Sequence, residues 1–136
     1  MSKPWYIAGP MTGIPQFNFP AFSEAAAALR SNGFEIIAPH EQDSPDVQAA
    51  ALKSLDGALV DGQIAGETWG QILSRDVRLI ADRVGGIILL PGWEKSRGAR
   101  LEAFVGLLCG HEFASYAGRG VIQHRDANWV RERVLG

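Results

Sequence analysis

Two carboxylates stand where a carboxylate needs a reason. Thr68-Trp69-Gly70-Gln71 has the form of a capping box and predicts a helix running to about Asp82. At about 100° per residue, Trp69, Ile72, Leu73, Leu79 and Ile80 share one arc of that helix, with Asp76 near its middle. A charge inside an apolar stripe is costly unless it is paired, hydrogen-bonded or turned to a polar cleft. Asp76 is therefore either a buried structural group, paired with an arginine such as Arg75 or Arg78, or an ionisable group held against a ligand pocket. The second carboxylate, Glu102, lies on a helix that Ser96 can cap and Gly110 can end. Leu101, Phe104, Val105 and Leu108 read as the core stripe of this helix, and Glu102 projects from a different face. Gly98, Gly106 and Cys109 flank Glu102 at helical spacing, so another backbone, a ligand or a partner subunit approaches that face. The alternative is an exposed Glu beside helix-packing glycines. In the first two turns the helix dipole favours the ionised form. Brought to one cleft, Asp76 and Glu102 would make the carboxylate pair that acid–base and nucleophilic glycosyl chemistry both use.

The flanking segments offer binding groups. Ser96 precedes a helix N-terminus and is surrounded by Lys95, Arg97 and Arg100, which reads equally as an anion site or as a plain cap with solvated charges. Gly9-Pro10-Met11-Thr12-Gly13 lacks both the dinucleotide fingerprint and the phosphate loop, so it allows close approach of backbone without naming a cofactor. Trp93 is either a stacking surface for a flat base or a loop tryptophan packed on its own domain. No G-x-S-x-G elbow and no H-E-x-x-H occurs, and His40, His111 and His124 are scattered without ligand spacing, so neither a metal nor a cofactor is implied. The single cysteine, Cys109, excludes an intrachain disulfide and a cysteine zinc cage, and is expected at a helix interface as a small apolar residue.

The elements that must position these groups follow from the patterning. A chain of 136 residues, 46% hydrophobic and 21% charged, fits one domain over residues 1–136 with a real core. Its net charge of −2 argues against a nucleic-acid binder built on a basic surface. No apolar run approaches the ~18–20 residues of a membrane span, and Met1-Ser2-Lys3-Pro4 leads into a strand-like segment; a cytoplasmic protein is expected. Strands are predicted at Trp5–Ala8, Phe34–Ala38, Gly86–Leu90 and near Val121-Ile122. Helices are predicted at Pro20–Asn32, Asp46–Leu55, Thr68–Asp82, Ser96–Leu108 and Asn128–Val134. Asp56–Glu67, with Gly57, Gly62 and Gly66, reads as a mobile loop, and Glu112–Ser115 is left open. Alternating apolar strands and helices predict an α/β fold, a mainly parallel sheet of four to five strands in a flavodoxin- or Rossmann-like three-layer sandwich. Ligands in such sheets bind beyond the carboxyl ends of the strands, here Gly9–Gly13, Pro39-His40 and Pro91–Gly98.

Tyr6-Ile7-Ala8-Gly9-Pro10-Met11, Arg75-Asp76-Val77, and Leu90-Pro91-Gly92-Trp93 through Arg100-Leu101-Glu102 resemble an often phage-borne branch of the nucleoside 2-deoxyribosyltransferase-like superfamily. That superfamily also contains 2′-deoxynucleoside 5′-monophosphate N-glycosidases. The resemblance, over roughly Trp5 to Gly110, implies a flavodoxin-like fold, a nucleoside or nucleotide substrate, and cleavage or transfer at the N-glycosidic bond with retention. It casts Glu102 as the nucleophile, Asp76 as proton donor or orienter of the leaving base, and Tyr6 as an aromatic beside the catalytic carboxylate. Gly9, followed by Met11 and Thr12, would form the loop beneath the sugar. Ser96 would contact a phosphate, with Arg97 or Lys95 beside it, because Thr12 stands where the monophosphate hydrolases carry an arginine. Gly98 would let substrate approach the helix. A homo-oligomer is implied by the same analogy. A non-catalytic nucleotide-binding or sensing module on this fold is the alternative.

Overall fold

The computed structural model describes residues 3–136. Its strands and helices, in chain order, are β1 (Trp5–Ala8), α1 (Phe19–Ser31), β2 (Ile36–Ile37), α2 (Pro45–Lys53), β3 (Gln63–Ile64), β4 (Glu67–Thr68), α3 (Trp69–Asp82), β5 (Gly86–Leu89), α4 (Arg97–Cys109), β6 (Glu112–Tyr116), β7 (Ile122–Arg125) and α5 (Ala127–Leu135). The main sheet has the order β2-β1-β5-β6-β7, parallel except for β7, which runs antiparallel to β6. Among its own strands this is the doubly wound order 2-1-3-4-5, and the direction of winding reverses between β1 and β5. The expected α/β three-layer sandwich is the observed fold.

Both faces of the sheet are covered because its central strands are apolar on both sides. Ile7 and Ile88 point to the layer formed by α1, where Phe22, Ala25, Ala26 and Leu29 meet them. Tyr6, Ala8, Ile87 and Leu89 point to the opposite layer, built from α3, α4 and α5 through Ile80, Ala99, Ala103 and Val130. Among the described residues no helix is long and apolar enough to cross a membrane.

Four sequence readings change. Residues 112–116, left open, form β6, which pairs with both β5 and β7. The segment 56–67 is not a structureless loop: β3 and β4 pair as a short hairpin, and the amide of Gly13 donates to Gly57 O at 2.9 Å. Gly57 is required there, since it has φ +66° and a Cβ would meet Ile14 O at 2.0 Å. The third change concerns α4. Leu101, Phe104 and Leu108 are not its core stripe; they are exposed, Leu108 by 74%, while Ala99, Glu102, Ala103 and Gly106 face inward. The reason is close approach: a Cβ on Gly106 would lie 2.5 Å from Ile87 Cδ1, so only small residues fit between α4 and the sheet. Cys109 is likewise exposed rather than packed at a helix interface.

Candidate active site

The inversion of α4 carries Glu102 to the interior. It is 6% exposed, and the hydroxyl of Tyr6, from β1, donates to its Oε2 at 2.6 Å. Asp76, on α3, is equally buried at 6%. Arg75 grips it: Nε and Nη2 both donate to Asp76 Oδ1, at 3.1 and 2.7 Å. Nη1 of Arg75 donates to Asp43 Oδ1 at 2.6 Å, and Nη2 also reaches the carbonyl of Pro39 at 3.2 Å. One arginine thus ties α3 to the chain leaving β2. Asp76 satisfies both readings of the sequence, being paired with an arginine and lining a cleft together with Glu102.

The two carboxyls share a titration. Burial is the main reason the Glu102 carboxyl sits well above the usual range, and the charge of Asp76 raises it further; the Tyr6 hydrogen bond pulls in the other direction. Burial pushes Asp76 up to about 6, against the pull of the Arg75 charge and its hydrogen bonds. The charge of Asp76 favours the proton on Glu102. Tyr6 is pushed up by burial and then by Glu102, so its hydroxyl keeps its proton. In such a pair the macroscopic steps belong to the dyad as a unit.

The cleft around them lies at the switch point between β1 and β5. It is narrow, a cavity of about 90 Å³. Gly9, Met11 and Thr12 line it from the β1 loop, Ser96 and Gly98 from the start of α4, and Phe17, Phe19, Phe22, Leu59 and Ile64 give an apolar wall. Gly9 is needed for the close pass of two loops, since a Cβ there would sit 2.8 Å from Leu90 Cβ. Gly98 has nothing within 4 Å of its would-be Cβ, so its lack of a side chain leaves cleft open. Phe17 is delivered by a left-handed turn, with φ of +57°, +51° and +61° at Gln16, Phe17 and Asn18, secured by the Asn18 side-chain amide donating to Pro10 O at 2.9 Å. Such a run is strained for residues other than glycine and marks a place where position outweighs backbone comfort.

The structure therefore brings Glu102, Asp76, Tyr6, Gly9, Met11, Thr12, Ser96 and Gly98 to one region. Arg97 lies at the neighbouring mouth with Lys95, Thr12 and Ser96. Arg100 does not join them: it donates to Val134 O at 2.6 Å, at the end of α5. Ser96 Oγ accepts from the amide of Ala99 at 3.2 Å as the cap of α4. Trp93 is a correction. It is 3% exposed and packs against Trp129 with ring centroids 6.3 Å apart, so it offers no stacking surface. The exposed ring at the cleft is Trp69, 40% exposed, with Arg97 Cζ 5.8 Å from its centroid. Asp43 and Arg75 complete the site. Their place was hidden because Asp43 sits in a segment of weak pattern, whereas the adjacency of Arg75 to Asp76 was the available signal. The histidines serve elsewhere: His40 packs on Phe19 and Phe22, His111 lies against Ile80 O, and His124 sits near Trp5.

Fold and site together define a doubly wound α/β protein with a buried carboxyl dyad at its switch point. Residues 3–114, most of the chain, match the family described as Domain of unknown function (DUF4406), and the protein belongs to that family. No curated protein matches the chain.

Proposed function

We propose that the protein cleaves or transfers the N-glycosidic bond of 2′-deoxynucleosides or their 5′-monophosphates, with Glu102 as nucleophile and net retention. The observation that carries this reading is the buried cluster of Tyr6, Glu102 and Asp76, opening on a cleft with an apolar, aromatic wall. The sequence resemblance to nucleoside 2-deoxyribosyltransferase-like enzymes supports it independently.

The chemistry balances on these residues. A Glu102 oxygen forms a bond to the anomeric carbon while the carbon–nitrogen bond breaks and its electron pair goes to the base. The base nitrogen takes a proton from Asp76. Because the resting proton of the dyad favours Glu102, its passage to Asp76 both frees the nucleophile and arms the acid. A 2-deoxyribosyl centre lacks the electron-withdrawing 2-hydroxyl, and the oxocarbenium-like transition state gains from a carboxylate alongside. Tyr6 donates to Glu102 and aims its oxygen. Water, or a second base, then attacks the same carbon, gives its proton to Asp76 and releases Glu102.

A homo-oligomer belongs to the same proposal, with the exposed Leu101, Phe104 and Leu108 row of α4 as the face a second copy would cover. One observation favours a second reading. A Glu102 held neutral by burial is a hydrogen-bond donor rather than a nucleophile, which suits a nucleotide-binding module without turnover. The test is release of free base from deoxynucleosides and their monophosphates, with and without an acceptor base. Release by wild type and its loss in Glu102→Ala are expected. Calorimetric binding without release from either substrate class would establish the module instead.

A further inference from the structure

The cleft has two ends, and only one is explained by the sugar chemistry. Ser96 and Gly98 bound it after β5, while Asp43 and Val47, which follow β2, and the aromatic wall, which follows β1, bound the rest. A sugar held at Glu102 and Tyr6 therefore directs its base toward either the solvent-facing cations or this apolar chamber. A flat heterocycle gains more from the chamber, where Phe17, Phe19 and Phe22 offer apolar rings. Asp43 is the charged side chain of that chamber. It is buried, lines the cleft, and is fixed through one oxygen, Oδ1, by Arg75 Nη1. Its Oδ2 accepts no hydrogen bond among the described residues.

We propose that Asp43 is the specificity-determining residue of the site, its free oxygen accepting from an exocyclic amino group of the base. The inference rests on the glycosidic reading and narrows it to amino-bearing bases of the adenine or cytosine type. An oxygen anchored by Arg75 is placed before ligand arrives, so little ordering is lost on binding. Each nitrogen of Arg75 already donates, to Asp76, Asp43 or Pro39, so the arginine is committed to holding the acid. An oxo group in place of the amino group would face an acceptor with an acceptor. A site built around a donor on its ligand discriminates strongly against the analogue that lacks it, because its own polar group is left buried and unpaired.

The matched pairs deoxyadenosine against deoxyinosine, and deoxycytidine against deoxyuridine, differ by amino versus oxo at one position. Calorimetry on Glu102→Gln, which blocks turnover, is expected to show at least about tenfold tighter binding of the amino member of each pair. Adding Asp43→Asn, which keeps an oxygen for Arg75 and sets an amide donor where Oδ2 stood, should abolish this preference or reverse it toward the oxo member. Equal binding within the pairs in the Glu102→Gln parent, or an equal loss for all four ligands on adding Asp43→Asn, would overturn the proposal and leave Asp43 as a tether for Arg75. Should Asp43→Asn fail to fold by thermal melt, the pair ratios of the parent protein decide alone. Base release by wild type separates the two layers of argument. Release without discrimination sinks the role of Asp43 while the glycosidic reading stands, and discrimination in binding without release does the reverse. Failure of all four, and of their 5′-monophosphates, to bind removes both.

Discussion

The Tyr6 hydroxyl meets Glu102 Oε2 at 2.6 Å across 96 residues of sequence, linking the central strand β1 to the second turn of α4. Both groups are buried, and both are held toward their protonated forms by that burial. The bond opposes this for Glu102 alone, since a donated proton stabilises the carboxylate.

Replacing Tyr6 by Phe keeps the ring in the core and removes only the donor. Base release should then fall about 10- to 100-fold in kcat, the range for a hydrogen bond to a charged group, with KM little changed. The sign of the pH effect follows from the direction of the shift. Tyr6 lowers the Glu102 pKa, so its loss raises that pKa and moves the acidic limb of the rate profile to higher pH. An unchanged profile would mean that Tyr6 only packs.

Asp76 makes stability depend on pH in a definite direction. Burial raises its folded pKa from 3.8 to about 6. A carboxyl raised on folding adds its full contribution below about pH 4 and loses it as pH climbs through about 6. Asp76→Asn cannot ionise and lacks that slope. Urea midpoints for both proteins at several pH values from 4 to 7 should therefore diverge in favour of the variant as pH rises. A constant offset across that window would show that Asp76 is not desolvated in the folded chain.

Much of this was legible in the sequence, and the failures share a cause. The strands β1 and β5 and the helices α3 and α4 announced themselves through apolar runs, the Thr68–Gln71 capping box and the Ser96 cap. Asp76 was conspicuous because its neighbours at helical spacing are apolar. Glu102 was found through its small neighbours, but the face was assigned backwards. Large apolar residues usually mark the inward side of a helix, yet on α4 they point out because Gly106 allows the helix to approach Ile87 and Phe113. Trp93 and Trp69 exchanged roles for a related reason: the loop tryptophan found a partner in Trp129 on α5, and pairing across 36 residues leaves no local signal. Asp43 depends on Arg75, 32 residues away, and no periodicity encodes that pairing.

Ser96 has two duties that one substitution separates. Its oxygen caps α4 by accepting from Ala99 N, which leaves the hydroxyl proton to donate to an anion at the mouth beside Lys95 and Arg97. Ser96→Ala should lower stability by about 1 kcal/mol, the usual value of such a cap. Binding of deoxynucleoside monophosphates should weaken more than binding of the parent nucleosides. Parallel losses for both ligand classes in calorimetry would leave Ser96 as a cap and nothing more.

The fit of α4 to the sheet is what places Glu102, and Gly106 is where it can be tested. An alanine in the interior of a helix ordinarily gains about 1 kcal/mol over glycine. Here the added Cβ would stand 2.5 Å from Ile87 Cδ1 and 3.1 Å from Phe113 Cζ, between side chains of paired strands. Ile87 is fully buried, so its terminal methyl has nowhere to turn without displacing other core atoms. Overpacking of this kind costs about 1–3 kcal/mol, which exceeds the gain in propensity, so Gly106→Ala should be destabilised overall. Glu102 lies one turn away on the same inward face, so lifting the helix also lengthens its bond to Tyr6 and lowers base release. Ile87→Val deletes the methyl that clashes. Alone it should cost about 0.5–1.5 kcal/mol, yet combined with Gly106→Ala it should restore both stability and activity toward wild type. A double-mutant cycle from urea unfolding reads the coupling directly, and strict additivity would mean that α4 is held off the sheet by something other than this contact.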